Sequence, residues 1–162
     1  MQRFTQILFT NILLIGYLVH PALGQSKTDQ QTFHALLRLY EQSINRADTN
    51  MGSALWAHTA EVSFIHPRAT EYGWSGIRNV YKMFDQLFTK RDLHGSKEKI
   101  TVYGDVAWLT FEWVFDATMK VDNSPIQTKG RETQLWRKIN TQWKLVHIHY
   151  SGMPVTGERQ GF

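Results

Sequence analysis

Glu132, Gln134 and Trp136 occupy every second position of one short segment. Side chains alternate along an extended chain, so a carboxyl, an amide and an indole would share one strand face. In the segment that follows, Val146, Ile148 and Tyr150 alternate with His147 and His149. A sheet face built from the two would mix aromatic and hydrogen-bonding groups, which suits a pocket wall better than an ordinary core. Glu112 is similarly out of place, a carboxyl between Phe111 and Trp113 in an apolar run. A buried carboxylate is costly unless paired. Two readings stand: Glu112 faces the pocket with His66 or Arg131 as its partner, or it points to solvent at a strand end. His147 and His149 share a face, but a zinc site needs at least a third protein ligand and nothing nearby in sequence supplies one. Hydrogen bonding at a sheet surface or subunit contact is the simpler role for them.

These groups need elements to position them. Thr28 with Gln31 forms a capping box, and Phe33, Leu36, Leu37, Tyr40 and Ile44 recur at helical spacing until Asp48 to Asn50 break the pattern. A short helix over 52–58 and a strand over 61–66, closed by Pro67, follow, with a second short strand over 71–74. Ser75 caps a helix in which Ile77, Val80, Tyr81, Phe84, Leu87 and Phe88 line one face. From Lys97 onward the pattern is antiparallel sheet: a strand at 100–103, a Gly104-Asp105 turn, a long strand over 106–121, a turn at 122–125 and two closing strands. About three N-terminal helices and a run of strands make an α+β fold, a curved sheet wrapped by helices, rather than a βαβ series. In the long strand Trp108, Thr110, Glu112 and Val114 share the face expected to line a cavity, and Leu109, Phe111, Trp113 and Phe115 the face expected to meet another subunit.

Composition narrows the class. The chain has 162 residues. Residues 1–24 read as a secretory signal, with Arg3 as the positive start, an apolar run from Ile7 to Val19 and a small-x-small site at Ala22-Leu23-Gly24. That run falls short of the roughly 20 residues a spanning helix needs. The expected product is a secreted or periplasmic protein over 25–162, one domain, with no membrane attachment after cleavage. The absence of cysteine excludes disulfides, thiolate catalysis and zinc-thiolate sites. Loss of Arg3 lowers the net charge from +4 to +3. Lys90, Arg91, Lys97 and Lys99 cluster loosely without interleaved aromatics, a solvated surface rather than a nucleic-acid site.

Residues 29–155 resemble the nuclear-transport-factor-2-like superfamily, conical α+β domains that include ketosteroid isomerase, SnoaL-like polyketide cyclases and the association domain of calcium/calmodulin-dependent protein kinase II. The association domain is most similar at Glu132-Thr133-Gln134-Leu135-Trp136, Trp143 and Val146 to Pro154. Two arginines of its pocket correspond to Gln134 and Tyr150 here, so its anion binding is not implied. The segment Tyr40 to Asp48 is similar to the tyrosine-bearing helix of ketosteroid isomerase, and Phe64-Ile65-His66-Pro67 to the strand carrying its proton-shuttling aspartate. The resemblance implies Tyr40 and Gln134 as oxyanion donors and His66 as general base, with Glu132 near the position of a protonated carboxyl. A plain alternative for His66 is a hydrogen bond inside the domain. Trp56, Phe64, Tyr72, Trp74, Tyr81, Phe84, Trp136 and Tyr150, with Glu112 and Glu132, are candidates for the cavity lining, with ordinary core as the alternative for the aromatics.

The functional expectation is a small-molecule-binding protein, an isomerase or lyase in its catalytic form, acting on an apolar cyclic or aromatic compound without metal or cofactor. A homodimer or higher homo-oligomer is the expected assembly. The rival reading is a non-catalytic association module built on Leu109, Phe111, Trp113 and Phe115.

Overall fold

Along the strand Val106–Met119, Ala107, Leu109, Phe111, Trp113, Phe115 and Ala117 are all buried, while the residues between them are partly or fully exposed. This alternation sets the architecture, because the apolar face must be covered and helices lie over it. The computed structural model describes residues 27–152. Its elements run α1 (Lys27–Arg46), α2 (Thr49–Leu55), β1 (Ser63–His66), β2 (Ala69–Tyr72), α3 (Gly73–Leu87), β3 (Phe88–Tyr103), β4 (Val106–Met119), β5 (Pro125–Ile139) and β6 (Gln142–Gly152). The sheet is six-stranded, curved and unclosed, in the order β2-β1-β6-β5-β4-β3. Among these strands only the β1–β6 pairing is parallel, and an isolated parallel bridge joins Trp56 to Leu145; the other strand pairings are antiparallel. The α+β cone expected from the sequence is the fold observed.

The two faces of β4 are the reverse of the expectation. Leu109, Phe111, Trp113 and Phe115 point into the cone, and Trp108, Thr110, Glu112 and Val114 point outward. The apolar face therefore cannot be a subunit surface; this domain's own helices lie on it.

The helices owe their places to specific contacts. Phe33, Leu37, Tyr40, Ser43 and Ile44 form the buried stripe of α1, and Phe33 packs against the rings of Trp136 and Trp143 at 6.0 and 5.1 Å. Asp48 ends one helix and caps the next, accepting from the N–H groups of Asn50 and Met51 at 2.8 and 3.0 Å. α2 thus begins three residues earlier than its hydrophobic pattern suggests. Gly52 on α2 lies against Tyr81, where a Cβ would stand 2.6 Å from the ring, so α2 and α3 meet at a position that tolerates no side chain.

β3 is far longer than expected, starting at Phe88 rather than near Ile100. Its first half reads as polar because it is an edge strand whose outer residues meet water. It is held from the helix side: Asn45 accepts from Leu93 N–H and donates to Leu93 O, and Glu41 accepts from Gly95 N–H at 2.6 Å. Arg91, read as part of a solvated cluster, donates to the carbonyls of Asn45, Phe84 and Phe88.

The closing hairpin turns through Asn140 and Thr141, both with positive φ (47° and 68°), the signature of a two-residue type I′ turn. In β6 the register skips at Val146: Trp136 pairs with Leu145 and Leu135 with His147. This bulge brings Leu145 to the inner face beside Ile148, with Val146 partly buried against the core. The expected leader, residues 1–24, lies outside the described residues. Among those described, no helix is long and apolar enough to cross a membrane.

Candidate functional site

The concave face of the sheet and the helices enclose a cavity of about 190 Å³. Its walls are mainly apolar: Phe64 from β1, Phe84 and Leu87 from α3, Trp113 and Phe115 from β4. Three polar groups, Tyr40, Glu132 and Tyr150, stand among them, and Arg68 and Thr128 are its exposed lining residues.

Glu132 is the unusual group. It is 4% exposed, and both carboxyl oxygens are engaged: Oε1 accepts from Gln134 Nε2 at 2.8 Å and Oε2 from the Tyr40 hydroxyl at 3.3 Å. Behind them Trp136 Nε1 donates to Gln134 Oε1 at 3.2 Å. The every-second-residue spacing of Glu132, Gln134 and Trp136 thus becomes a relay along one strand face, each side chain fixing the next. Burial pushes the Glu132 carboxyl up to about 8, with the hydrogen bonds from Gln134 and Tyr40 opposing that rise and the Glu41 charge adding to it. Near neutral pH Glu132 therefore carries a proton yet lies close enough to its midpoint to release it.

Burial, and next the Glu132 charge, push the Tyr40 hydroxyl well above its ordinary value. Burial also raises Tyr150 to about 12. Both phenols keep their protons, and Tyr40 donates its own to Glu132. Ser43 ties this end to the helices, donating to Tyr40 O at 2.7 Å and meeting the Tyr81 hydroxyl at 3.1 Å.

The other expected residues fall into three groups. Phe64, Phe84 and Tyr150 line the cavity with Tyr40 and Glu132. His66 is 8% exposed and not part of the lining; its ring stacks on Tyr150 at 6.2 Å and its Nδ1 accepts from Arg68 N–H at 3.4 Å. Burial lowers its pKa, with Glu71 opposing and Arg68 reinforcing the shift. Gln134 reaches Glu132 rather than the cavity, and Trp56, Tyr81 and Trp136 are core beneath it.

Three positions correct the cavity expectation. Tyr72 is 66% exposed on the edge strand β2. Trp74 stacks on His58 at 5.4 Å and touches Tyr81, on a flank of α3 away from the lining. Glu112 lies on the outer face, paired with Lys97 Nζ at 2.8 Å, because β4 presents its other parity to the cone. His147 and His149 also point away from the cavity, and Ser63 Oγ meets His147 Nδ1 at 2.8 Å. Among the described residues, no three His, Asp or Glu side chains converge as metal ligands.

Sequence reasoning missed Trp113, Phe115 and Arg68 as lining residues. Pairing register could have recovered the first two. Phe111 lies directly opposite Glu132, and Trp113 opposite Gly130. Residues directly opposite share a face, so an inward Glu132 requires an inward Phe111 and Trp113. Arg68 follows Pro67 in a turn and gave no periodic signal.

A family model described as the SnoaL-like domain matches residues 34–156. The chain belongs to this family. A nuclear transport factor 2-like superfamily protein from Salmonella enterica is 40% identical, with a TM-score of 0.78 over 83% of this chain and 98% of that one. A candidate scytalone dehydratase from Novosphingobium aromaticivorans is 12% identical with a TM-score of 0.72, over 82% of this chain and 89% of that one. A candidate calcium/calmodulin-dependent protein kinase II association domain from Xanthomonas campestris is 16% identical with a TM-score of 0.65, over 84% and 93%. The last two likenesses are of fold. No curated protein matches the chain.

Proposed function

We propose that this SnoaL-like domain binds a small apolar ring compound bearing an oxygen, and that Glu132 and Tyr40 move a proton at that oxygen, the chemistry of a cofactor-independent isomerase or lyase. The observation that carries the reading is a buried carboxyl on a cavity wall, oriented through both oxygens, and its burial pushes it up to about 8. A carboxyl so placed can give its proton to a ligand oxygen and, once ionised, take one from the carbon next to the one that bears that oxygen. In an isomerisation the two transfers cancel; in a dehydration the proton leaves with the hydroxyl as water.

Tyr40 acts beside it. With Glu132 protonated, the Tyr40 hydroxyl is free to turn towards a ligand oxygen while accepting from the acid. Gln134, expected as a direct donor, acts through Glu132 as a positioning residue. His66, whose ring abuts Tyr150, is the second candidate base. Candidate dehydratases share the fold, which is compatible with this class of reaction but adds no residue-level support.

Proton exchange into heavy water tests the assignment without knowledge of the substrate. The protein should accelerate α-deuteration of cyclohex-2-enone or 1-indanone, with a rate inflection near pH 8. Glu132→Gln should reduce that rate by about a hundredfold and Tyr40→Phe by a comparable factor. Ketone binding with no exchange, indifferent to both substitutions, would leave a carrier in place of a catalyst.

A further inference from the structure

Resting on the reading that the cavity takes an oxygen-bearing ring, we propose that its ligand is an anion, a one-ring acid whose carboxylate meets Arg68 at the mouth while its other oxygen meets Tyr40 and Glu132 at the closed end.

The lining is graded. Tyr40, Ile44 and Glu132 are buried, whereas Met83, Leu87 and Ile126 are half-buried and Arg68 and Thr128 exposed. The cavity therefore opens between the β1–β2 turn, α3 and the start of β5. Arg68 and Glu132 are its two charged residue types, one at each end.

The Arg68 guanidinium has no ion pair or hydrogen bond among the described residues; only its backbone N–H is engaged, by His66. Arg91 is the contrast, its guanidinium donating to three carbonyls. Glu71, on the same hairpin, reaches the first turn of α3, its Oε2 3.1 Å from where a Cβ on Gly76 would stand, and forms no pair with Arg68. A planar cation at the edge of an apolar cavity, with its donors free, is suited to bidentate capture of a carboxylate.

Size limits the rest of the ligand. About 190 Å³ compares with the roughly 150 Å³ of a cavity that holds benzene. One ring with short arms fits, and a four-ring skeleton does not. Together these features describe a single-ring hydroxy- or oxo-acid.

Matched probes separate this proposal from the reading beneath it. 4-Hydroxybenzoate, 4-hydroxyphenylacetate and 3-(4-hydroxyphenyl)propionate, each beside its primary amide, would be titrated by tryptophan fluorescence and thermal shift. The best-fitting acid should bind about tenfold more tightly than its amide at low salt, and the ratio should fall at 0.5 M salt because the guanidinium is exposed. Arg68→Gln should bring acid and amide to equal affinity, and Arg68→Lys should keep part of the preference. Equal binding of acid and amide to the unaltered protein would overturn the carboxylate proposal and leave the cavity reading standing. A preference for the acid that survives Arg68→Gln would overturn the assignment to Arg68. If no probe bound in either form, both the proposal and the cavity reading would fall.

Discussion

Glu132 and Glu112 are the same residue type on adjacent strands of one sheet, yet their protons behave in opposite ways. Glu132 faces the cone, where burial raises it to about 8; Glu112 faces water, where the hydrogen bond from Lys97 holds it below the usual carboxylate range. Register makes this unavoidable, since β4 and β5 pair Phe111 with Glu132 and Glu112 with Arg131, adjacent positions on opposite faces. The charge is tolerated where solvent screens it. Where it is not, burial keeps the acid neutral against two hydrogen bonds that favour its ionised form. Site chemistry here is a property of the side of the sheet, and exchanging the sides would exchange the chemistry.

The comparison breaks most severely at the inner wall. An Ala at Gly130 would drive its Cβ into the Ser151 carbonyl oxygen and the Trp113 indole, so Gly130→Ala should destabilise by about 3 kcal/mol or more in urea unfolding. Removing the inner carboxyl is next. Glu132→Ala leaves the Gln134 amide and Tyr40 hydroxyl without their acceptor, and the unfolding free energy should fall by about 2–4 kcal/mol; Glu132→Gln, which can still accept and donate, should lose about 1 kcal/mol or less.

The pH dependence sharpens the contrast. Folded Glu132 keeps its proton to about pH 8, whereas the unfolded chain releases it near the ordinary 4.5. Between these values the folded state binds more protons, so stability should decline as pH rises, by up to roughly 1.4 kcal/mol per unit, and level off above pH 8. Urea titrations should show this decline in the difference between the unaltered protein and Glu132→Gln, which cancels other groups, including the opposing His66. A flat difference would contradict the raised value. Glu112 has the opposite sign, its contribution present above its unfolded value and lost only as the pH falls through its lower folded one. Being exposed to solvent and salt, Glu112→Gln should leave the melting temperature within about 2 °C and the exchange rate unchanged.

Much of the fold can be read from local pattern. Tyr40 falls on the buried stripe of α1, and Ile77, Val80 and Tyr81 on that of α3, because helical spacing alone collects them. The first half of β3 was illegible for an equally local reason: an edge strand turned mostly to water has no apolar alternation, and side chains from α1, remote in sequence, hold its backbone. Arg68 was hidden because a turn residue carries no period that points anywhere.

Two-residue alternation determined that Glu132, Gln134 and Trp136 act together, and that Leu109, Phe111, Trp113 and Phe115 do too. A period of two is symmetric to exchange of faces, so it could not say which set looks inward. The tertiary structure decided that by pairing β4 with β5 and laying the helices on one side. The same packing decided the protonation of Glu132, because desolvation is imposed by neighbours from many parts of the chain.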